Sequence, residues 1–285
     1  MSGIGRREAL GLMGAGAVAA SAGLPSAAAA ARAKLDVETP EGKLRTYMMM
    51  RGALDERLII SYISGSYFGV VDAEVTPLWD VIGVTFSRYR KRSDGGYDCF
   101  NGEIAHFLDP KSGDATGEFY NPYTSKTVKD PGRNLPPSRF TLLPNLEMEF
   151  SRALPGMKAN HYVRTPEVRG DDIWFTEVTR VESAIPGATR PFRYSETVSM
   201  HAHVSDLLKP GAKRVPTESN FTNFVDWRPW MEMAGHPGNL IATGNGRFGV
   251  TLDDLPERWT RATRKRWPKV LENPASVLDP VYPAG

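Results

Sequence analysis

The feature that most limits the fold is a long series of segments rich in β-branched and aromatic residues, separated by turn signals. Asp80–Lys91 and Tyr97–Leu108 alternate in polarity and flank Asp94-Gly95-Gly96, a sequence typical of a tight hairpin turn. Further segments of this kind are residues 58–71, 139–152, 160–165, 172–182, 192–204 and 221–227. Eight or more strands with almost no helix between them predict an all-β fold, an antiparallel barrel or calycin-like closed sheet.

Few parts of the chain depart from the strand pattern. Glu41–Met50 is predicted to be a short entry helix and residues 254–271 one C-terminal helix, limited by Pro268. Asn121–Pro137 is expected to lack regular structure because of its prolines and glycines. Asp226–Gly249, which is rich in Trp, Met and Gly, is predicted to form a lid or plug over the open end of the barrel.

Residues 1–33 have the features of an export signal. Arg6-Arg7 is a twin-arginine pair, Gly11–Leu24 is a weakly apolar run, and Ala27–Ala33 offers several small-residue cleavage sites. The apolar run is too short to span a bilayer. The paired arginines favour export by the twin-arginine (Tat) translocase, so we expect a periplasmic or secreted protein. A disordered Ala-rich tail is the alternative interpretation.

Residues 34–285 are expected to form a single β-rich domain. The signal takes three arginines and one glutamate from totals of 35 Lys+Arg and 33 Asp+Glu, so the remaining charges balance. A balanced chain has no global basic field to attract nucleic acid. No later stretch has about 18 consecutive apolar residues, so no transmembrane segment is predicted in the mature chain. Cys99 stands alone, which excludes an internal disulfide.

Two glutamates lie on apolar faces of predicted strands. Glu196 belongs to the same face of strand 192–204 as Phe192, Tyr194, Val198, Met200 and Ala202. Glu177 has a similar place on strand 172–182. Burial of a carboxyl group is costly unless it is paired, and it raises the carboxyl pKa, which is how general acids and bases are prepared. Glu196 is therefore the predicted catalytic acid or base, and Glu177 a predicted ligand-binding residue.

Other polar residues are expected to accompany these carboxylates. His106 lies on the apolar face of its strand, Arg88 extends the apolar face of the neighbouring hairpin arm, and Tyr194 lies two residues from Glu196. We predict His106 and Tyr194 as catalytic partners and Arg88 as a ligand-binding residue. A buried structural network is the competing interpretation, and it stays open because barrels often satisfy such groups internally.

His201 and His203 are the candidates for metal binding. Residues two apart on a strand point the same way and can share one ion. Their register, however, puts them on the polar face, which favours a solvated outer surface, so neither a metal nor a cofactor is predicted. His161, whose register is ambiguous, and His106 are the candidates for a third ligand if a metal site exists.

The predicted lid contains two further candidate ligand-binding residues. Trp230 is expected to be pocket wall or core, and His236, between a glycine and a proline, could reach a ligand. The chain contains no G-x-S-x-G nucleophile elbow, P-loop, H-E-x-x-H zinc motif or Rossmann glycine fingerprint after a strand. No enzyme class that depends on these motifs is therefore predicted.

Several short motifs, together with the export signal, resemble those of the DUF1838 family of exported proteins of unknown function. They are Arg51-Gly52-Ala53-Leu54-Asp55, Tyr67-Phe68-Gly69-Val70, Asn121-Pro122-Tyr123-Thr124 and Pro229-Trp230-Met231-Glu232-Met233, followed by Pro237-Gly238 and Gly246-Arg247. The similarity covers nearly the whole mature chain. It implies no activity and supplies no catalytic residues.

These features predict a barrel that holds a small apolar or aromatic molecule. We expect that it can act on this molecule by cofactor-free acid–base chemistry, such as isomerisation, hydration or elimination. Two alternatives stay open: a binding protein without turnover, and a metal-dependent enzyme with histidine ligands.

Overall fold

The computed structural model describes residues 35–130, 133–150, 157–184 and 190–283. This part of the chain contains thirteen strands and four α-helices. In chain order they are α1 (Pro40–Arg51), β1 (Ile59–Val71), β2 (Glu74–Lys91), β3 (Tyr97–Leu108), β4 (Glu118–Asn121), β5 (Lys126–Lys129), β6 (Arg133–Leu142), β7 (Met148–Phe150), β8 (Met157–Val163), β9 (Glu167–Arg169), β10 (Asp172–Ser183), β11 (Phe192–His203), α2 (Val204–Leu207), β12 (Thr217–Val225), β13 (Asn239–Val250), α3 (Glu257–Arg266) and α4 (Pro268–Glu272). The predicted export signal lies outside the described residues.

Ten strands form a nearly closed antiparallel barrel. Their order around it is β7, β6, β3, β2, β1, β13, β12, β11, β10 and β8, and β9 pairs with β10 off this path. β7 and β8, the two ends of the order, contact each other. β4 and β5 form a separate hairpin. The predicted all-β, barrel-like fold is confirmed.

The Gly-rich part of the predicted lid is a barrel strand. Residues 239–250 form β13, which pairs with β1 on one side and with β12 on the other. Gly65 of β1 lies opposite Gly244 of β13, and a Cβ atom on Gly65 would lie 2.2 Å from the carbonyl oxygen of Thr243. The backbones approach so closely there that only glycine fits. The prediction of a lid over Asp226–Gly249 is therefore wrong for its second half.

Helix α1 fills one end of the barrel interior. Thr39 caps it by accepting a hydrogen bond from the Gly42 N–H (3.1 Å), and proline at its first position suits a helix start. Its Tyr47, Met48, Met49 and Met50 are buried. They belong to one apolar cluster with strand residues from opposite walls, including Tyr89, Phe140, Phe175 and Met200. We call this set the helix cluster.

The segment Asp226–Gly238 covers the other end, and we call it the lid. Its Trp227, Met231 and Met233 are buried in a second apolar cluster, the lid cluster. Strand residues of the lid cluster include Tyr67, Trp79, Phe107, Phe221 and Leu240. The Trp227 indole donates to the Pro237 carbonyl (3.0 Å), and the Asn121 amide donates to the Met231 carbonyl (2.7 Å). The β4–β5 hairpin thus fixes the lid to the barrel.

The C-terminal helices cover the outer face of β1–β3. Trp259 is fully buried there and donates to the Ile104 carbonyl (2.9 Å). The apolar residues beneath the helices include Ile60, Ile82, Val84, Phe86 and Ile104. The single helix predicted over residues 254–271 is divided at Trp267, because Pro268 lacks the N–H that would continue it.

Two other local predictions need correction. The region 121–137 contains β5 and the start of β6, and Pro136 and Pro137 are accommodated at a register shift in the pairing of β6 with β3. Within the predicted strand 139–152, residues 139–150 form a hairpin of β6 and β7 with Leu146 at its turn (φ 70°), and residues 151 and 152 lie outside the described part of the chain. Among the described residues, no helix has the length and apolar character needed to cross a membrane.

Candidate functional site

Four inward-facing polar side chains form a continuous row across neighbouring strands. Asn223 on β12 pairs with Glu196 on β11, Glu196 with Thr179 on β10, and Thr179 with His161 on β8. Because paired residues on neighbouring strands point to the same face, these side chains lie side by side inside the barrel. We call them the inner polar row.

The inner polar row lies where the two apolar ends of the interior meet. Val198, the next inward residue of β11 after Glu196, packs against both the helix cluster and the lid cluster. Tyr194, the preceding inward residue, packs against the lid cluster. The interior is thus apolar at both ends, and between them the wall formed by β8, β10, β11 and β12 is polar.

Hydrogen bonds within the row leave some polar atoms available. The Tyr194 hydroxyl donates to Glu196 Oε2 (2.5 Å), and His161 Nδ1 lies 2.9 Å from Thr179 Oγ1. His161 and Asn223 are buried, with 6% and 2% exposure, yet His161 Nε2 and Asn223 Oδ1 have no hydrogen-bond partner. Burial lowers the pKa of His161, although the Glu177 carboxylate opposes this shift, so the ring is held neutral. A bound molecule could satisfy both atoms.

An ion pair lies beside the row. Arg51, the last residue of α1, places Nε 3.0 Å from Glu177 Oε1. Burial is the largest single influence and would lower the pKa of Arg51, but Glu177, Tyr89, Tyr47 and Glu196 together outweigh it and hold the pKa above its ordinary value. Glu177 therefore neutralises a partly buried guanidinium, and Glu196 is close enough for its charge to act on the same group.

Part of the interior can be reached by solvent. Thr179, Tyr194, Glu196 and Val198 all point inward, yet each is only half-buried. Side chains that filled this side of the interior would be fully buried. The polar wall therefore faces space that water enters.

The structure brings together some of the residues predicted for the site. Glu196 and Tyr194 are hydrogen-bonded inside the barrel, and Glu177 points inward on the neighbouring strand. Trp230 packs in the lid cluster, with its ring centre 5.4 Å from that of Trp79. His236 is exposed on the lid.

His106 does not join them, because it lies on the outer face of β3. Its Nε2 is 2.9 Å from Thr263 Oγ1 of α3, and its ring packs against Trp259 and Trp267. Burial, followed by the charge of Arg266, lowers the pKa of His106 to about 4. The expected inward position was wrong because the apolar face of β3 that includes His106 packs under the C-terminal helices and not into the barrel, so the periodicity does not identify the interior.

Arg88 also lies on the outer face, for the same reason. Its guanidinium donates to the Glu56 carbonyl (3.3 Å) and lies over the Tyr282 ring, 4.9 Å from the ring centre. The expectation that Arg88 points into the interior is thus corrected.

The histidines considered as metal ligands are separated by the barrel wall. His201 and His203 lie on the outer face of β11, as their register indicates, whereas His161 lies inside. His161 therefore cannot supply a third ligand to this pair, and neither can His106, which lies on β3 beneath the C-terminal helices, with four strands between β3 and β11. Asp172 of β10 lies beside both outer histidines.

Sequence reasoning missed three residues of the inner polar row and the ion pair beside it. The alternation of Phe221, Asn223 and Val225 could have placed Asn223 inward, and Thr179 follows from the register of Glu177. Arg51 gave no such signal, because a charged residue at a helix end is usually solvated.

Two cavities open at the surface away from the inner polar row. The outer groove, of about 740 Å³, runs over the outer faces of β1, β13, β12 and β11, and is lined by residues such as Tyr62, Asn220 and Arg258. The lid cavity, of about 780 Å³, is lined by residues such as Phe192, Arg228 and His236. The residues that line these two cavities include none of the four residues of the inner polar row.

The fold and interior define a class: a nearly closed antiparallel barrel with a helix in one end, a lid over the other and a polar wall between them. The chain belongs to the family described as "Protein of unknown function (DUF1838)", whose model matches residues 56–130 and 186–281. The resemblance to this family is thus confirmed, over two segments of the chain and not over nearly the whole mature chain. Searches of curated proteins and of solved structures gave no match.

The matched segments include part of the interior site. Tyr194, Glu196, Asn223 and the lid lie within them, whereas Arg51, His161 and Glu177 lie outside. The family segments therefore supply β11, β12 and the lid, and the rest of the chain completes the interior wall.

Proposed function

We propose that the barrel interior binds a small, largely apolar or aromatic molecule at the inner polar row. The observation that carries this proposal is the row itself, His161, Thr179, Glu196 and Asn223 in register across four strands. Apolar walls with a few convergent polar groups are typical of small-molecule sites. Two buried polar atoms without partners, on His161 and Asn223, support the same conclusion.

The surroundings of the row favour an aromatic ligand with a hydrogen-bonding group. Trp79, Phe107 and Trp230 of the lid cluster pack with ring centres 5.4–6.1 Å apart, and Trp230, which is only half-buried, could offer part of its ring to an aromatic ligand. A polar substituent on the ligand would then accept from or donate to His161 and Asn223.

We further propose that Glu196 acts on this molecule as an acid or base. Glu177 forms an ion pair with Arg51, whereas Glu196 lies half-buried on the polar wall and accepts a hydrogen bond from the Tyr194 phenol, which orients the carboxylate. In an isomerisation, Glu196 would take a proton from one atom of the ligand and return it to another. In an elimination, Glu196 would take a proton from one carbon of the ligand while the leaving group departs from the neighbouring carbon.

A fluorescent apolar probe, N-phenyl-1-naphthylamine, tests binding inside the barrel. Val198→Phe adds a ring to the inward face beside Glu196, whereas Thr197→Phe adds the same ring to the exposed outward face of β11. We expect probe affinity to fall at least about tenfold in the first variant and to be unchanged in the second, because only the first fills the interior. Unfolding midpoints of both variants check that they are folded.

Equal probe affinity in the folded Val198→Phe and Thr197→Phe variants would contradict binding in the interior. The Glu196→Gln variant distinguishes an enzyme that uses Glu196 from the alternative, a binding protein without turnover. With a molecule extracted from the purified protein as substrate, loss of turnover with retained binding supports acid–base chemistry, whereas full turnover in this variant excludes Glu196 as the acting group.

We propose that the chain is exported through the Tat translocase. The support is the Arg6-Arg7 pair before a weakly apolar run and an Ala-rich tract. In cell fractionation, replacing both arginines with lysine should keep the protein in the cytoplasm, whereas Arg32→Lys, which lies after the apolar run, should not change its location. Export of the double-lysine variant at the original level would refute this route.

A further inference from the structure

Three metal-ligating side chains meet on the outer face of the barrel. Asp172 lies at the start of β10, and His201 and His203 lie at the end of β11. One ligand atom from each lies within 4.8 Å of the others. His201 Nε2 is 2.8 Å and His203 Nδ1 is 3.4 Å from the same oxygen, Asp172 Oδ1.

The strand register explains why these side chains converge. Asp172 pairs with His203, and Trp174 pairs with His201, so both histidines and the aspartate point to the outer face. With metal–ligand bonds of about 2.0–2.2 Å, the ligand atoms of a tetrahedral zinc site lie about 3.3–3.6 Å apart. Small side-chain rotations would bring the three atoms to this spacing without moving the backbone.

We propose that Asp172, His201 and His203 bind one divalent transition-metal ion of the zinc type. Two imidazole nitrogens and one carboxylate oxygen suit Zn²⁺, Co²⁺ and Fe²⁺ better than Mg²⁺ or Ca²⁺, which prefer oxygen ligands alone. The side chains of Asp172, His201 and His203 are 41%, 28% and 55% exposed, respectively. The ion can therefore enter from solvent and keeps open coordination positions.

Neighbouring groups hold the ligands in place. Asp171 Oδ2 lies 3.8 Å from His203 Nδ1, and its carboxylate accepts from the Ser205 N–H and hydroxyl, each at 2.8 Å. This adds a second, fixed negative charge beside the site. Arg169 lies opposite Asp172 in the register, but its guanidinium pairs with Glu167.

The proposed metal site lies at the edge of the outer groove. His201 and Trp174 both line this groove, and their rings lie 5.0 Å apart. The barrel wall separates the site from the inner polar row. Metal binding here and ligand binding in the interior are therefore independent proposals.

The site is tested directly by titrating Co²⁺ into the full chain, which is purified without a polyhistidine tag. We expect one equivalent to bind with visible absorption bands and Zn²⁺ to displace it. His201→Ala and Asp172→Asn should each weaken binding at least about tenfold, because each removes a direct ligand. The control, His236→Ala, removes an exposed histidine of the lid and should leave the titration unchanged.

Two results would overturn the proposal. One is a Co²⁺ titration that is the same in the wild type, in His201→Ala and in Asp172→Asn. The other is loss of binding in His161→Ala alone, which would place the ion inside the barrel. Circular dichroism spectra of the variants serve as the folding control. We expect each variant to remain folded, because the three ligand side chains are exposed at the surface.

Discussion

Glu177 and Glu196, two inward carboxylates of the barrel, differ in what holds them. Glu177 is 5% exposed and forms an ion pair with Arg51, so removing it would leave a guanidinium uncompensated in the interior. Glu196 is half-buried and is hydrogen-bonded by the Tyr194 phenol. The sequence predicted that both point inward. It could not separate their roles, because the partner of Glu177 comes from α1, which is distant in the chain.

His106 makes a prediction about stability and pH. Burial, with a smaller contribution from Arg266, lowers its pKa to about 4 from the ordinary 6.5, so the ring is neutral in the folded protein. Between these two pH values the unfolded chain binds a proton that the folded protein does not. The contribution of neutral His106 to stability is therefore complete above pH 6.5 and is lost as the pH falls toward 4.

Urea unfolding between pH 4 and 7 measures this effect. Because one pKa unit corresponds to about 1.4 kcal/mol, the wild type should lose roughly 3 kcal/mol more than His106→Gln over this range. His236→Gln, at an exposed histidine, should follow the wild type. The assignment fails if His106→Gln shows the same pH dependence as the wild type.

At the scale of elements, β13 is the strand that the sequence pattern failed to predict. Its glycines and asparagines lower its strand propensity, and the segment was expected to be part of a lid. Pairing along its length with β1 and β12 overrides that local preference. The opposite error arose in β2 and β3, whose alternation is clear but whose outer face is covered by α3 and α4, so the apolar face was taken for the interior.

Gly65 tests the close approach of β1 and β13. In Gly65→Ala the new methyl group would meet the Thr243 carbonyl oxygen, so we expect a loss of about 1–3 kcal/mol in the free energy of unfolding. Gly117→Ala is the matched control, because nothing lies within 4 Å of a Cβ atom there and its effect should stay within about 0.5 kcal/mol. Equal urea midpoints for the two variants would show that the backbones are not so close.

At the scale of the whole molecule, the barrel could be predicted and its contents could not. Alternation and turn signals are local, and they predicted most strands and the inward face of β11. Helix α1 inside one end, the lid fixed by the β4–β5 hairpin and the alignment of His161 with Glu196 depend on contacts between distant segments. Periodicity in one strand carries no information about which strand lies beside it.

The central claim is that the ligand site lies inside the barrel, along the inner polar row. A crystal structure of the full chain grown with N-phenyl-1-naphthylamine tests it most directly. We expect the probe between the helix cluster and the lid cluster, in contact with Val198 and with at least one of His161, Glu196 and Asn223. The claim is contradicted if the probe occupies only the outer groove or the lid cavity while protein side chains fill the space beside Glu196.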